Sequence, residues 1–316
     1  MAHDSNNLKK ENLMNAISFE GQVAIVTGGG NGLGKSHALE LAKRGAKVVV
    51  NDFGGALDGR GSSKTAAETV AEEINKSGGE AIANTTNILN VNDVNELVLK
   101  TLSQWGRIDI LVNNAGILRD KTFAKMEIED FKTVVDVHLI GSAICTKAVW
   151  EPMREQNYGR VVFTSSSSGI YGNFGQSNYG AAKMGVLGLM NVLKLEGEKY
   201  DIKVNALSPT AATRMTEGLL PDEALNVLTV ESVTAGLIFL VSKDAPNRLI
   251  LCAGGGGYAA TRIYETDGIF LPPNQQTPEN IAKNIGTIIN TDGQEMYEQG
   301  SQQTMKFVTK ASKGLQ

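Results

Sequence analysis

The sequence predicts a doubly wound α/β fold built on a seven-stranded parallel sheet, and three observations carry that prediction. Short apolar, β-branched runs alternate with longer segments of helical composition from about residue 18 to residue 261. Those runs lack apolar–polar alternation, as expected of strands covered on both faces. The first run opens into a glycine-rich turn, Thr27-Gly28-Gly29-Gly30-Asn31-Gly32-Leu33-Gly34, immediately ahead of a helical segment.

The strands predicted in order are Val23 to Thr27, Lys47 to Asn51, a weaker Ala81 to Thr85, Ile108 to Val112, Arg160 to Thr164, Lys203 to Ser208 and a last one around Leu249 to Cys252. The helices between them run from Gly34 to Arg44, Lys64 to Lys76, Val91 to Trp105, Glu129 to Arg154, Tyr179 to Tyr200 and Ser232 to Ser242. Glycines close several of them, Gly45 after the first and Gly78-Gly79 after the second. Beyond Thr261 the rhythm changes. Residues 264–278 are rich in Pro, Asn, Gln and Thr and read as a loop, after which Thr277 is placed as an N-cap and Pro278 at the first helical position. Ile281, Ile285 and Ile288 follow at helical spacing. The expected division is a polar tail (1–17), a dinucleotide-binding catalytic domain (18–261) and a short helical extension (262–316).

Composition removes several function classes. The 30 basic and 34 acidic side chains leave a formal charge of −4, the wrong sign for a phosphate-coating nucleic-acid binder. Cys145 and Cys252 each lie in an apolar run, and His3, His37 and His138 are far apart, so no metal site is expected. The first 18 residues lack the apolar core of a secretion signal, and no uninterrupted apolar stretch approaches the roughly 18 residues that span a bilayer. The expectation is a soluble, cytoplasmic chain acting on a small molecule, with neither nucleic acid nor membrane as partner.

Two constellations carry chemistry. A glycine turn between strand and helix lets backbone amides approach a pyrophosphate at the helix N-terminus. Asp52, 18 positions after Gly34 and at the end of the second strand, has the spacing of a carboxylate that binds the ribose hydroxyls. It favours NAD over NADP; Phe53-Gly54-Gly55 offers no arginine for an extra phosphate, and Lys35 is the one counter-argument. The second constellation is Tyr179-Gly180-Ala181-Ala182-Lys183. Residues four apart share a helix face, so a phenol and an ammonium point into one cleft, and the ammonium is expected to favour the phenolate as a base. Ser166, thirteen residues earlier at a strand end, is placed to hold the substrate oxygen.

These residues resemble the short-chain dehydrogenase/reductase family over about Phe19 to Gly257, in its Rossmann form. The resemblance implies that Gly28, Asn31, Gly32, Leu33 and Gly34 belong to the cofactor loop, and that Asn114, Ala115 and Gly116 (in Asn113-Asn114-Ala115-Gly116) lie on the adenosine side. It implies catalytic roles for Ser166, Tyr179 and Lys183, with Lys183 also bonding the nicotinamide ribose and Pro209 and Thr213 lying by the carboxamide. Thr86-Asn87 stands where an aspartate often holds the adenine amine; either side chain could accept that bond, and Asn87 is counted among the cofactor contacts. His138 replaces the family's usual asparagine and has two readings, support for water or backbone, or a proton relay. Longer runs, among them VVNDFGG (49–55), AGILRDKTFAKM (115–126) and GIYGNFGQSNYGAA (169–182), resemble the (3R)-hydroxyacyl-CoA dehydrogenase part of the type 2 peroxisomal multifunctional enzymes. That implies oxidation of 3-hydroxyacyl-CoA to 3-ketoacyl-CoA, a homodimer or homotetramer formed through the two long helices, and a peroxisomal location if the chain is part of a longer polypeptide. The alternatives are a hydroxysteroid dehydrogenase or 3-ketoacyl reductase and, from another class, a non-catalytic NAD-sensing scaffold.

Overall fold

The computed structural model describes residues 16–56, 58–61, 65–212 and 222–314, and the chain forms two compact units, residues 1–260 and 261–316. In the first unit β1 (Val23–Thr27), β2 (Lys47–Asn51), β3 (Glu80–Asn84), β4 (Ile110–Asn113), β5 (Gly159–Thr164), β6 (Ile202–Pro209), β7 (Ile250–Gly254) and β8 (Gly257–Thr261) form one sheet in the order β3-β2-β1-β4-β5-β6-β7-β8. The first seven pair in parallel. An eighth strand joins them that the sequence reading did not anticipate. Only Gly255 and Gly256 separate it from β7, at φ 56° and 80°. Two residues permit only an antiparallel return, and paired positive φ values make the tight hairpin turn that glycine favours.

Helices cover both faces: α1 (Gly32–Lys43), α2 (Thr65–Lys76), α3 (Val91–Trp105), α4 (Ile128–Val135), α5 (Gly141–Gln156), α6 (Ser167–Ile170), α7 (Ser177–Gly197), α8 (Asp222–Val227) and α9 (Val230–Leu240). Successive strand residues point to opposite faces, so each central strand feeds two cores. Ala24, Val26, Val48, Val50 and Val112 enter one with Leu41 and Leu237. Ile25, Val49, Leu111, Val161 and Phe163 enter the other with Val149, Leu187 and Met190. Truncating a fully buried member such as Leu111 to alanine costs about 2–5 kcal/mol.

The expected single helix from Glu129 to Arg154 is interrupted. Asp136–Ile140 is a π turn between α4 and α5, an inserted residue of the kind that re-aims a side chain. Ser142 and Thr146 hydroxyls bond back to the carbonyls of His138 and Ser142, at 2.6 and 2.7 Å, just beyond it. By length and composition the stretch Ile128–Gln156 is apolar enough to cross a membrane, but Val134, Cys145, Val149, Trp150 and Met153 are buried within it.

The strand order reverses between β1 and β4, since β2 and β3 lie to one side and β5–β8 to the other. Such a switch point opens a crevice beyond the C-terminal strand ends. α1 starts there and is tied to α9 by polar contacts: Thr234 Oγ1 lies 2.8 Å from His37 Nδ1 and 2.7 Å from Ser36 Oγ. Burial pushes the His37 imidazole down to about 3, so it is neutral at physiological pH.

In the second unit Thr277 caps a helix at Pro278–Lys283, its Oγ1 accepting from the Asn280 amide at 3.3 Å. The helix is shorter than the isoleucine spacing suggests. It stops at Asn284, and a separate turn, Ile285–Ile288, follows. A helix at Gly300–Gly314 was not anticipated. Lys306 and Lys310 on it pair with Glu265 and Asp267 at 2.9 and 2.8 Å, and Gly314 meets the Phe270 ring.

Candidate active site

At the C-terminal end of β1 the chain must turn tightly beside β4. Gly28 has φ 63°, and a Cβ there would lie 2.8 Å from Ala115 Cα. A Cβ at Gly34 would overlap the Gly28 carbonyl, and one at Gly30 would lie 2.7 Å from Asp52 Oδ2. Glycine therefore lets the loop pack against its neighbours at backbone distance. Neighbouring side chains then brace it. Thr27 Oγ1 accepts the amides of Asn114 (3.0 Å) and Ala115 (3.1 Å), and Asn114 Nδ2 donates to the carbonyls of Thr27 and Gly28, both at 3.1 Å. Asp52 accepts from the amides of Gly30 (2.8 Å) and Gly54 (2.7 Å). Asn31 makes no side-chain cap, and the first turn of α1 holds no acidic residue. The opening amides of a 12-residue helix are thus left to an anion.

From this loop a cavity of about 340 Å3 runs past Asp52, Asn87, Asn114, Ala115 and Gly116 to His138, Tyr179, Lys183 and Pro209. A wider hollow between α5 and α7, about 980 Å3, is lined by Leu189, Leu193 and Tyr200 and holds none of this chemistry.

Tyr179 and Lys183 stand one turn apart on α7, with Lys183 Nζ 5.4 Å from the phenol ring centre. Nζ donates to the Thr164 carbonyl at 2.6 Å, and burial brings its pKa down to about 7. The Tyr179 hydroxyl moves against the expectation of a favoured phenolate. Burial pushes it up to about 12; a hydrogen bond with Ser166 pulls it down, and Asp120 adds a small upward push. Desolvation disfavours the charged form of both groups here, so the phenol is neutral and the amine titrates near neutrality. Ser166 sits just past β5 in extended backbone, where its Oγ caps α6 by accepting from the Ser168 amide at 3.2 Å.

His138, re-aimed by the π turn, meets Tyr179 edge-on, with ring centres 5.0 Å apart at 89°. Its Nε2 lies 3.1 Å from the Ile117 amide nitrogen and 2.8 Å from the Ile117 carbonyl oxygen, while buried Nδ1 has no partner. Burial, and then the charge of Lys183, hold the imidazole well below its usual range. Gly116 makes room for it, because a Cβ there would strike the ring.

The remaining predicted residues divide. Asn87 lines the cavity, with Oδ1 engaged by the Leu89 amide at 3.0 Å. Lys35, the argument for NADP, is paired with Glu73 at 2.9 Å. Thr213 lies outside the described residues. Three contributions are not legible in the sequence although each residue lies in a stretch named there: the Thr27 hydroxyl joins β1 to the 113–116 turn, the Thr164 carbonyl holds Lys183, and Asn178 Oδ1 accepts the Tyr179 amide at 2.7 Å. Thr27 opens the glycine turn and Asn178 precedes Tyr179, and that adjacency was the available signal.

Residues 22–224 match the family described as short chain dehydrogenase. Peroxisomal multifunctional enzyme type 2 of Drosophila melanogaster is 43% identical over 293 residues, covering 88% of this chain and 48% of that protein. Its full-length structure aligns with a TM-score of 0.79 at 34% identity, over 94% of this chain and 50% of that one. A short-chain type dehydrogenase/reductase of Mycobacterium tuberculosis is 46% identical over 258 residues, 81% of this chain and 90% of that protein. 7α-hydroxysteroid dehydrogenase, solved with NADH and 7-oxo glycochenodeoxycholic acid, aligns with a TM-score of 0.68 at 27% identity, over 76% of this chain and 95% of that one. The chain spans about half the length of the Drosophila enzyme. With a braced glycine loop at one end of its cavity and a serine, tyrosine and lysine at the other, the chain belongs to the short-chain dehydrogenase family.

Proposed function

We propose that this chain is an NAD-dependent dehydrogenase that oxidises the secondary alcohol of a (3R)-3-hydroxyacyl-CoA to the 3-ketoacyl-CoA. The observation that carries the reading is the convergence of Tyr179, Lys183 and His138 at the end of a cavity whose other end is an uncapped helix N-terminus beside Asp52. Gly28, Gly32, Gly34 and Asn114 would hold the pyrophosphate side, Asp52 the adenosine ribose, and Lys183 the second ribose. Asp52 repels a 2′-phosphate, and Lys35 is already paired, which favours NAD. Pro209 and Thr213 are assigned to the carboxamide.

An oxidised nicotinamide held there would supply the hydride acceptor and a positive charge. Ser166 donates to the substrate oxygen and fixes it near Tyr179. Tyr179 takes the hydroxyl proton as the carbinol hydrogen leaves with its electron pair, and Lys183 stabilises the phenolate when protonated. His138 acts as a positioning group that holds the Ile117 backbone and packs the phenol edge. Because Tyr179 holds its proton tightly and Lys183 loses its own near neutrality, the phenolate depends on the positive charges brought beside it.

The acyl-CoA reading is supported by the relatives' names and by exposed Phe123, Tyr171 and Phe174 on the segments flanking the site. Those segments are joined by the Lys121 amide donating to the Gly175 carbonyl at 2.9 Å and by Gln176 donating to Asp120 at 2.6 Å. Residues 18–261 form the catalytic domain in this reading, with 262–316 an extension. The hollow between α5 and α7 is where a homo-oligomer would form. The test is NADH formation from (3R)- and (3S)-3-hydroxyacyl-CoA and from a 17β-hydroxysteroid, each with NAD and NADP. The (3R)-thioester with NAD is expected to exceed every other pair by at least about 100-fold in kcat/KM, a discrimination of about 2.7 kcal/mol. A steroid turned over faster, or binding of NAD with turnover of none of them, overturns the assignment.

A further inference from the structure

Between the loop behind Asp52 and the helix of Tyr179 lies one arginine that neither motif contains. The loop leaves β2 and turns back on itself, with the Ala56 amide donating to the Arg60 carbonyl at 2.8 Å and the Gly59 amide to the Ala56 carbonyl at 2.9 Å. Gly54, Gly55, Ala56 and Gly59 face the cofactor cavity. Gly59, at φ 84°, packs so close to Ile117 that a Cβ would lie 3.2 Å from its Cδ1. Ile117 is the residue whose backbone His138 holds.

Arg119 closes this arrangement. Its Nε donates to the Asp58 carbonyl at 2.9 Å, and its Nη1 to Asp130 Oδ1 at 3.1 Å and Thr133 Oγ1 at 3.3 Å. The loop is thereby fastened to α4. The Arg119 carbonyl in turn accepts from Asn178 Nδ2 at 3.0 Å, and Asn178 is fully buried with its Oδ1 on the Tyr179 amide. An exposed ion pair contributes little. Here the side chain is 22% exposed, and its fork spans acceptors from a loop and a helix, which a rigid planar guanidinium does well and an ammonium poorly.

We infer that Arg119 is a positioning residue for the dinucleotide: its guanidinium holds residues 54–56 and 58–59 as a wall of the cofactor cavity, while its backbone carbonyl independently sets the start of the Tyr179 helix. The inference rests on the cofactor reading above and assigns the two functions to different atoms of one residue. Arg119→Met keeps the carbonyl and removes the fork. The dissociation constant for NAD, measured by calorimetry without substrate, should rise about tenfold. Amide exchange at residues 54–56 and 58–61 of the ligand-free protein should accelerate about as much, with kcat at saturating NAD within about threefold. Arg119→Lys should recover part of the affinity. Asp130→Asn and Thr133→Val loosen the same fork from the α4 side and should each weaken NAD binding about threefold, which covers the case in which Arg119→Met does not fold. Unchanged affinity in these variants overturns the inference, as does a fall in kcat with unchanged affinity. A wild-type chain that binds no NAD overturns the functional assignment as well, whereas wild type and Arg119→Met binding NAD equally overturns only the role of Arg119.

Discussion

The two ends of the cavity are built on opposite terms. At the glycine loop the polar side chains are already satisfied: Asp52 accepts two amides, Asn114 Nδ2 reaches two carbonyls, and the Thr27 hydroxyl accepts two amides while donating to the Val112 carbonyl at 3.3 Å. At the catalytic end His138 Nδ1 and Thr164 Oγ1 are buried without partners, the Lys183 amine is brought to about 7 and the Tyr179 phenol to about 12. One end is rigid before any ligand arrives. The other carries groups whose charges are suppressed by burial and whose hydrogen-bonding capacity is unfilled. Binding geometry is thus settled by folding, and charge is settled only when a ligand arrives to bring it, which is the arrangement differential transition-state binding requires.

The sharpest way to break that contrast is to remove chemistry from the unsettled end alone. Tyr179→Phe deletes the proton acceptor and keeps the ring against His138. Turnover is expected to fall about 10³-fold, within the usual span for a positioned acid or base, while the dissociation constant for NAD changes less than about threefold. Steady-state kinetics beside calorimetry check both. A variant with weakened NAD binding and intact turnover would show that the two ends are not separable.

The converse change acts on the rigid end. A methyl group at Gly34 would enter the Gly28 carbonyl and approach Asn114 Nδ2 to 2.6 Å. Backbone cannot yield as a flexible side chain does, so Gly34→Ala is expected to weaken NAD binding about 100-fold and to cost about 1–3 kcal/mol of stability through overpacking. With NAD raised to compensate, kcat should recover to within about tenfold, because Ser166, Tyr179 and Lys183 stand on other elements. Urea denaturation and NAD titration measure the two effects. Full affinity in this variant would mean that the close approach of loop and helix does not position the cofactor.

How much of this was legible in the sequence follows the same division. The rigid end depends on residue types with few substitutes, glycines at a strand end and an acid at the next, and those signals are local in the chain. Six of the seven parallel strands were equally plain, because burial on both faces leaves continuous apolar runs such as VVV at 48–50, whereas β3, of which only Ala81 is buried, reads more weakly. The eighth strand, Gly257–Thr261, was missed because its residues are mostly exposed and carry no such run, although Gly255-Gly256 marked the turn. At the catalytic end Tyr179, Lys183 and Ser166 were found by spacing, but the direction of the Tyr179 shift was not. Burial from every side decides it, and no spacing reports burial. The π turn that aims His138, and the tie from Arg119 to Asp58, join residues 21 and 61 positions apart and emerge only from the packed chain.

A smaller effect compares two buried histidines, one on the helix that follows the glycine loop and one beside Tyr179. His37 on α1 and His138 beside Tyr179 are both fully buried and neutral, and burial is the largest cause for each. Their folded pKa values lie below the unfolded value near 6.5, so above that pH neither state binds the proton and their contribution to stability is complete. As pH falls below 6.5 the unfolded chain gains protons that the folded chain refuses, and stability declines until the folded pKa is reached, about 3 for His37. At pH 5.5 each histidine should cost about 1.4 kcal/mol relative to pH 7.5. Paired carboxylates such as Glu80 and Asp130, lowered by Lys47 and Lys121, titrate too far below that pH to contribute much. Lys183, whose folded amine titrates at about 7, adds about 0.8 kcal/mol to the same loss. Urea denaturation at the two pH values should therefore show a loss of about 3.5 kcal/mol in the wild type, and about 1.4 kcal/mol less than that in His37→Asn and in His138→Asn, whatever each substitution does to stability at pH 7.5. Equal losses in wild type and both variants would show that these imidazoles take up protons in the folded state, and that burial does not hold them neutral.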